Sequence, residues 1–281
     1  MPAVSRATGV HDAVPELEYH ADKGSLSQSG AKRLLPPSTP AHFRWEQDHG
    51  RPAKAAYDVG HGAHSYVLGT GQPIVEVDAP DWRTKSAQEQ RDAAHAAGHV
   101  PLLADTHQQV QAMVAALRLH PLAADLFAPG SGLPEQSMYR TDEATGVTLR
   151  CRLDWMPHPT GERLIVADYK TAISADPRGF GKTAASYGYH MQAAWYSDMV
   201  INLGLAPAVT FLFVVQEKTA PHLVSVVELD AEAVALGRRA NRRAIDTYAE
   251  CTASGVWPGY DTGIPLISLP PWANADLEYQ P

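Results

Sequence analysis

Asp154 stands fourteen residues before the triplet Asp168-Tyr169-Lys170, and two carboxylates with a lysine are a set that can work on a phosphodiester. Carboxylate oxygens are hard ligands of the kind Mg²⁺ takes, usually one or two of them, with water and substrate phosphate in the remaining positions. A cation so held polarises the phosphate and lowers the pKa of a bound water. A lysine two residues after a carboxylate on a strand points to the same face. Lys170 is thereby placed to orient that water or to neutralise charge developing in the transition state. Alone, the D-x-K pattern is common, and a surface ion pair is its default meaning. The neighbours sharpen it: Glu135 lies on the preceding extended run, Gln192 and Tyr196 sit one helical turn apart downstream, and His64 follows Gly60 in an upstream helical stretch.

The elements that must position these residues are legible as a change of period. Helical patterns come first: Ser27 to Leu35, stopped by Pro36 and Pro37; a stretch from near Ala55 to Gly69; a polar helix from Ser86 to Ala97; and Thr106 to Leu119, with Pro121 just beyond. Gly71 to Val77 reads as extended. Then Glu135 to Arg140, Val147 to Met156 and Leu164 to Tyr169 alternate with period two. Turn-forming residues at Glu143 to Gly146 and His158 to Gly161 divide them, which predicts an antiparallel meander. A long helix is expected over Ala184 to Leu203, with Gly204 at its end, then strands at Val209 to Glu217 and Leu223 to Leu229. Asp230 caps a last helix running to Ser254. The expected class is α/β, a mixed central sheet flanked by helices, with Asp154 and Asp168 at adjacent strand ends.

Composition sets the bounds. A chain of 281 residues, 44% hydrophobic, buries a substantial core and reads as one domain, 1–281, with an N-terminal arm (1–50), a core (51–260) and a C-terminal tail (261–281). No apolar run is long enough for a signal peptide or a membrane helix, so no membrane association is expected and a cytoplasmic location is. Cys151 and Cys251 are too few for a disulfide framework, a four-cysteine zinc site or a cysteine-held iron-sulfur cluster. The formal charge of −8 argues against coating nucleic acid by bulk electrostatics. It leaves a nuclease open, because bound cations supply positive charge locally.

Several ordered segments together resemble the RecE-like (exodeoxyribonuclease VIII) branch of the PD-(D/E)xK nucleases, more distantly related to lambda exonuclease and RecB-type nuclease domains. They are YHADKGSLSQSGAKRLLPPSTPAHFRWE, GHGAHSYVLG, PEQSMY, TGVTLRCRLDWM, LIVADYKTA, YHMQAAWY, FVVQEKTAPHLVSVVELD and WPGY. The resemblance implies a restriction-endonuclease-like core in which Asp154, Asp168, the carbonyl of Tyr169 and His64 hold metal, and Glu135 holds a second metal or its water. It implies Lys170 as the catalytic lysine and Gln192 as the residue positioning the strand or the lysine, with Tyr196 supporting that face against DNA. Mg²⁺ would be the cofactor, with Mn²⁺ an acceptable substitute. The substrate would be linear duplex DNA, cut 5′ to 3′ to leave single-stranded 3′ tails, with a single-strand annealing protein as partner and a homo-oligomer as the assembly. Leu153 stands where the superfamily motif has proline, a residue that shapes the strand and contributes no chemistry.

Each assignment has a plainer alternative. His61 competes with His64, and Glu135 has Arg150 and Arg152 within cross-strand reach. Arg238, Arg239, Arg242 and Arg243 form a basic helix face, solvated by default, with Arg238 and Arg242 the candidates for a DNA-channel wall. Trp155, Tyr187, Tyr189, Trp195 and Trp257 read as core rather than as base-stacking wedges. Two other functions compete: an endonuclease with the same centre, and a catalytically silent DNA-binding or assembly subunit. Retention of Asp154, Asp168 and Lys170 together speaks against the latter.

Overall fold

In a computed structural model the residues described are 6–50, 58–158, 161–260 and 263–270. The expected helix start near Ala55, the middle of the 158–161 turn and the His61 side chain lie outside them.

Three ten-residue strands form the expected meander: β5 (Gly132–Thr141), β6 (Thr148–Pro157) and β7 (Arg163–Ala172), antiparallel in succession. The β5–β6 turn is closed by Asp142, whose carboxylate accepts from the Thr145 amide and hydroxyl, while Gly146 takes φ of 74°. After β7 the chain crosses through two helices, α8 (Pro177–Tyr187) and α9 (Tyr189–Asn202), into β8 (Ala208–Glu217), which lies parallel to β7. β9 (Val224–Glu228) returns antiparallel, and Asp230 accepts from the Ala233 amide to start α10 (Ala231–Ser254). The long helix expected from 184 to 203 is therefore two helices. Gly188 breaks it in a left-handed conformation at φ 72°, ending α8 and starting α9, although the apolar period runs on across the break.

The arm contributes more than sequence periodicity reveals. β1 (Gly9–His11) pairs antiparallel with β5, and β2 (Leu26–Ser27) pairs parallel with β6. The main sheet thus has seven strands in the order β1-β5-β6-β7-β8-β9, with β2 beside β6. Helices α1 (Glu16–Ala21), α3 (Pro40–His49) and α7 (Pro121–Leu126) are also additions, and β3 (Ile74–Val77) pairs parallel, across the expected polar helix α5 (Lys85–Ala96), with an unanticipated β4 (Val100–Leu103).

Both faces of the sheet are covered. On one, Leu149, Cys151, Leu153, Val166, Phe211 and Phe213 pack with residues of α2 (Gln28–Arg33), α3, α8, α9 and α10. On the other, Trp155, Ala167, Tyr169 and Val214 meet α4 (Asp58–Leu68), α6 (Ala104–Leu119) and α7. Alternation along β7 sends Val166 to one core and Ala167 and Tyr169 to the other, as period two demands. Burying each such large side chain contributes about 1.5–3 kcal/mol. The second core is pinned by Gln216, fully buried on β8: its amide donates to the Met113 carbonyl at 2.7 Å and its oxygen accepts from the Tyr169 hydroxyl at 2.6 Å. Among the described residues no helix is long and apolar enough to cross a membrane.

Candidate active site

β6 and β7 share a single registered pair, Trp155 with Ala167. One step further the strands part, and β2 takes the place beside β6 at Leu149 and Arg150. Asp154 and Asp168 flank that opening. The ladder does not end in loose groups: the Tyr169 amide, beyond the registered Trp155–Ala167 pair, donates to the side-chain carboxylate of Asp154 on β6 at 2.9 Å. A side chain thus closes what the backbone leaves open.

Asp168 is almost fully buried, and Gln192 on α9 donates to its Oδ1 at 2.6 Å. The Lys170 ammonium stands 2.5 Å from Oδ2, an ion pair without the alignment of a hydrogen bond. Burial pushes the Asp168 carboxyl up to about 6; Lys170 pulls it back and the charge of Asp154 adds to the rise. Asp154 goes the other way. Burial raises it too, but His64, Lys170 and the Tyr169 amide together hold it below the usual carboxylate range. His64 Nε2 lies 3.1 Å from Asp154 Oδ2, and although burial disfavours its charge, Asp154 and Asp168 carry its pKa above the usual histidine value. Lys170 is likewise raised against its burial by the same two carboxylates. Two neighbouring carboxyls driven apart in pKa by their surroundings are a common signature of a working site.

Glu135 occupies the rung opposite Asp154, between the registered pairs Pro134–Trp155 and Gln136–Leu153. It drops out of the ladder because its backbone is left-handed, φ 49°, an arrangement rare for a residue with a side chain. Burial raises its pKa, against Arg152 at 3.9 Å. The cross-strand partner Arg152 is in place, and Glu135 lines the same cleft as Asp154. Leu153, in the motif's proline position, is fully buried in the core.

Asp154, Lys170, His64, Glu135 and Tyr196 all line one cleft of about 1500 Å³ between the arm and the core. Tyr196 is half-buried and meets Phe211 edge-on at 5.8 Å. The Tyr169 side chain points into the second core. Arg238 and Arg242 are not among the cleft residues; Arg238 bonds to Asp198, and Arg242 to Asp142 and Asp246. Of the aromatic residues read as core, Trp155 and Trp195 are buried, Trp257 stacks on Phe43, and Tyr187 is exposed. Arg152 was missed as a cleft residue: it packs over Tyr19 at 4.2 Å and binds the Val14 carbonyl and Ser137. Its alternation with Asp154 on one strand was the available signal.

Among the described residues no three His, Cys, Asp or Glu side chains already converge at metal-site spacing. The donors nevertheless fit a divalent cation in kind. Two carboxylates adjoin at one opening, and a buried oxygen of one, Asp168 Oδ2, has no hydrogen bond. Such oxygens are what Mg²⁺ or Mn²⁺ prefers.

Residues 27–266 match the family described as "PDDEXK-like domain of unknown function (DUF3799)". Among solved structures, a "Putative exonuclease" from Eubacterium rectale superposes with a TM-score of 0.60 at 14% identity, covering 96% of this chain and 99% of that one. A phage related exonuclease from Haemophilus somnus 129PT gives a TM-score of 0.32 at 13% identity, covering 83% of this chain and 96% of the other. No curated protein matches the chain.

Proposed function

The chain belongs to the family of PDDEXK-like domains DUF3799 and carries a PD-(D/E)xK-type α/β core, and from that premise we propose that it is a metal-dependent deoxyribonuclease acting on the ends of linear double-stranded DNA. One observation carries the reading: the β6–β7 ladder opens where Asp154, Asp168 and Lys170 come together, with Gln192 bonded to Asp168. The name of the Eubacterium rectale structure that superposes on it, "Putative exonuclease", lends support.

Asp154 and Asp168 would hold the cation, Mg²⁺ in the first instance, with His64 and the Tyr169 carbonyl as further donors. When bound, the cation polarises the scissile phosphate and lowers the pKa of a coordinated water. The rest is the work of the chain. Gln192 fixes the rotation of Asp168, so that its second oxygen is turned to the Lys170 ammonium. Lys170 is held by the same carboxylate and presents its ammonium where negative charge grows during attack. His64 sets the orientation of Asp154, and Glu135 stands across from it. We further infer, from the RecE-like resemblance, 5′ to 3′ polarity, 3′ tails passed to a single-strand annealing partner, a homo-oligomer, a cytoplasmic setting and a single nuclease domain spanning 1–281.

Digestion of end-labelled linear duplex beside a closed circle tests the core of this. Mg²⁺ or Mn²⁺ supports loss of label from the linear substrate, EDTA and Ca²⁺ do not, and the circle survives. Full activity in EDTA overturns the metal role, and a cut circle makes the enzyme an endonuclease. His64→Ala is expected to shift the Mg²⁺ titration to higher concentration with DNA affinity little changed; an unaltered titration returns His64 to a structural role.

A further inference from the structure

Tyr187, expected in the core, stands at the surface of the cleft that holds Lys170, with 62% of its area exposed. An exposed ring is usually free to swing; this one is held. It stacks on Tyr189 with centroids 5.7 Å apart and planes 20° from parallel. Tyr189 stacks in turn on the fully buried Phe213 at 5.3 Å and 27°. The Lys170 ammonium lies 5.3 Å from the Tyr189 ring, so Tyr189 is the common neighbour of the candidate catalytic lysine and the exposed ring.

The backbone fixes the same geometry. Gly188, between the two tyrosines, takes the left-handed conformation that turns α8 into α9. Any side chain there is strained, and its first atom would stand 3.0 Å from Lys32 Cδ. Lys32, from α2 of the arm, lays its stem across this glycine. Its ammonium donates to the Tyr187 carbonyl at 2.6 Å and lies 5.8 Å from the Tyr187 ring. A flat, rigid aromatic face that lines the cleft thus adjoins a lysine lying just behind the cleft wall, one ring away from Lys170.

We propose that Tyr187 is a stacking platform for an unpaired nucleobase of the strand being cut, with Lys32 meeting that nucleotide's phosphate. The inference rests on the nuclease reading above and adds the form of the substrate. Every base has a π-face, so such a platform is tolerant of sequence. A base inside a duplex is already stacked on both sides, so the platform selects a frayed or single-stranded end over a closed one. Lys32 supplies what the phosphate needs without disturbing the acidic centre: its three N–H groups exceed the one carbonyl it caps.

The test compares wild type with Tyr187→Ala and Tyr187→Phe on end-labelled duplexes whose terminal nucleotides are unpaired, and on the same duplexes with abasic termini. On the normal ends Tyr187→Ala raises KM roughly tenfold with kcat within about threefold, and Tyr187→Phe matches wild type. On abasic ends the difference between wild type and Tyr187→Ala disappears. A Tyr187→Ala enzyme equal to wild type on normal ends overturns the platform, and so does a deficit that persists undiminished on abasic ends. Binding of a terminal 2-aminopurine oligonucleotide in EDTA separates this from failure of the nuclease reading. Quenching by wild type and Tyr187→Phe but not by Tyr187→Ala upholds the platform even if no cleavage is seen; equal quenching, or no binding at all, overturns it.

Discussion

Lys170→Ala lowers turnover about 10²- to 10³-fold, roughly 3–4 kcal/mol of transition-state stabilisation, while DNA affinity changes far less. The asymmetry follows from position. The ammonium sits on Asp168 at the opening, where charge develops, and one phosphate contact is a small share of the binding of a long polyanion. A second effect distinguishes this lysine from a remote one. Lys170 pulls down the Asp168 carboxyl that burial has raised. Without it the carboxyl titrates at higher pH, so whatever activity remains in Lys170→Ala falls off on its acidic side at higher pH than in wild type. A pH–rate profile at fixed Mg²⁺ reads this directly. A near-normal rate accompanied by uniformly weaker DNA binding would mean that Asp168 and Lys170 are only an ion pair.

Asp168→Ala abolishes cleavage by a different route, the loss of an oxygen proposed to hold metal, and unlike Lys170→Ala it is expected to recover partly when the cation concentration is raised. The wild-type enzyme carries the same signature in its pH dependence. With the Asp168 carboxyl pushed up to about 6, protons compete with the cation below that pH. The carboxylate form is the one that binds metal, so activity is present above the pKa and lost as pH falls through it. Raising the cation tenfold moves that acidic limb down by about one pH unit once the cation saturates the site above the pKa. An acidic limb that ignores cation concentration would assign it to another group. Gln192→Ala, which frees Asp168 to rotate, weakens the cation titration without abolishing turnover.

The parts of the candidate centre were legible because their signals are local: a carboxylate on one strand, D-x-K on the next and a helix with Gln192 following. Asp154 and Asp168 nevertheless lie within β6 and β7 rather than at the expected strand ends, because both strands run on for several residues beyond them. Period two gave the meander, and Asp230 and Gly255 bracketed the last helix, where capping chemistry is written in single residues. What escaped depends on distant partners. A two-residue strand such as β2 has no pattern of its own and exists because β6 has a free edge. The break at Gly188 is invisible to hydrophobic period, since both helices bury residues on the same core; only the glycine between two tyrosines marks it. Tyr187 was misplaced for the same reason, its exposure being decided by a backbone reversal rather than by its type. Arg238 and Arg242 show the converse: half of a basic face conspicuous in sequence is engaged by Asp198, Asp142 and Asp246.

The short parallel strand that fills the place left by the parting of β6 and β7 ties the finished cleft to the order in which the molecule forms. Ser25, next to that strand, receives the Arg150 guanidinium from 125 residues away. At about 5–20 residues per second of synthesis, the arm must wait on the order of ten seconds for its partner to emerge. Until then Leu26 and Phe43 lack the sheet and the later helices that complete their core, a period in which nascent chains are most exposed to aggregation. The same delay means that no complete cleft precedes the completed sheet: a growing chain carries the arm early and the carboxylates late, and the proposed site is assembled only when arm and sheet meet.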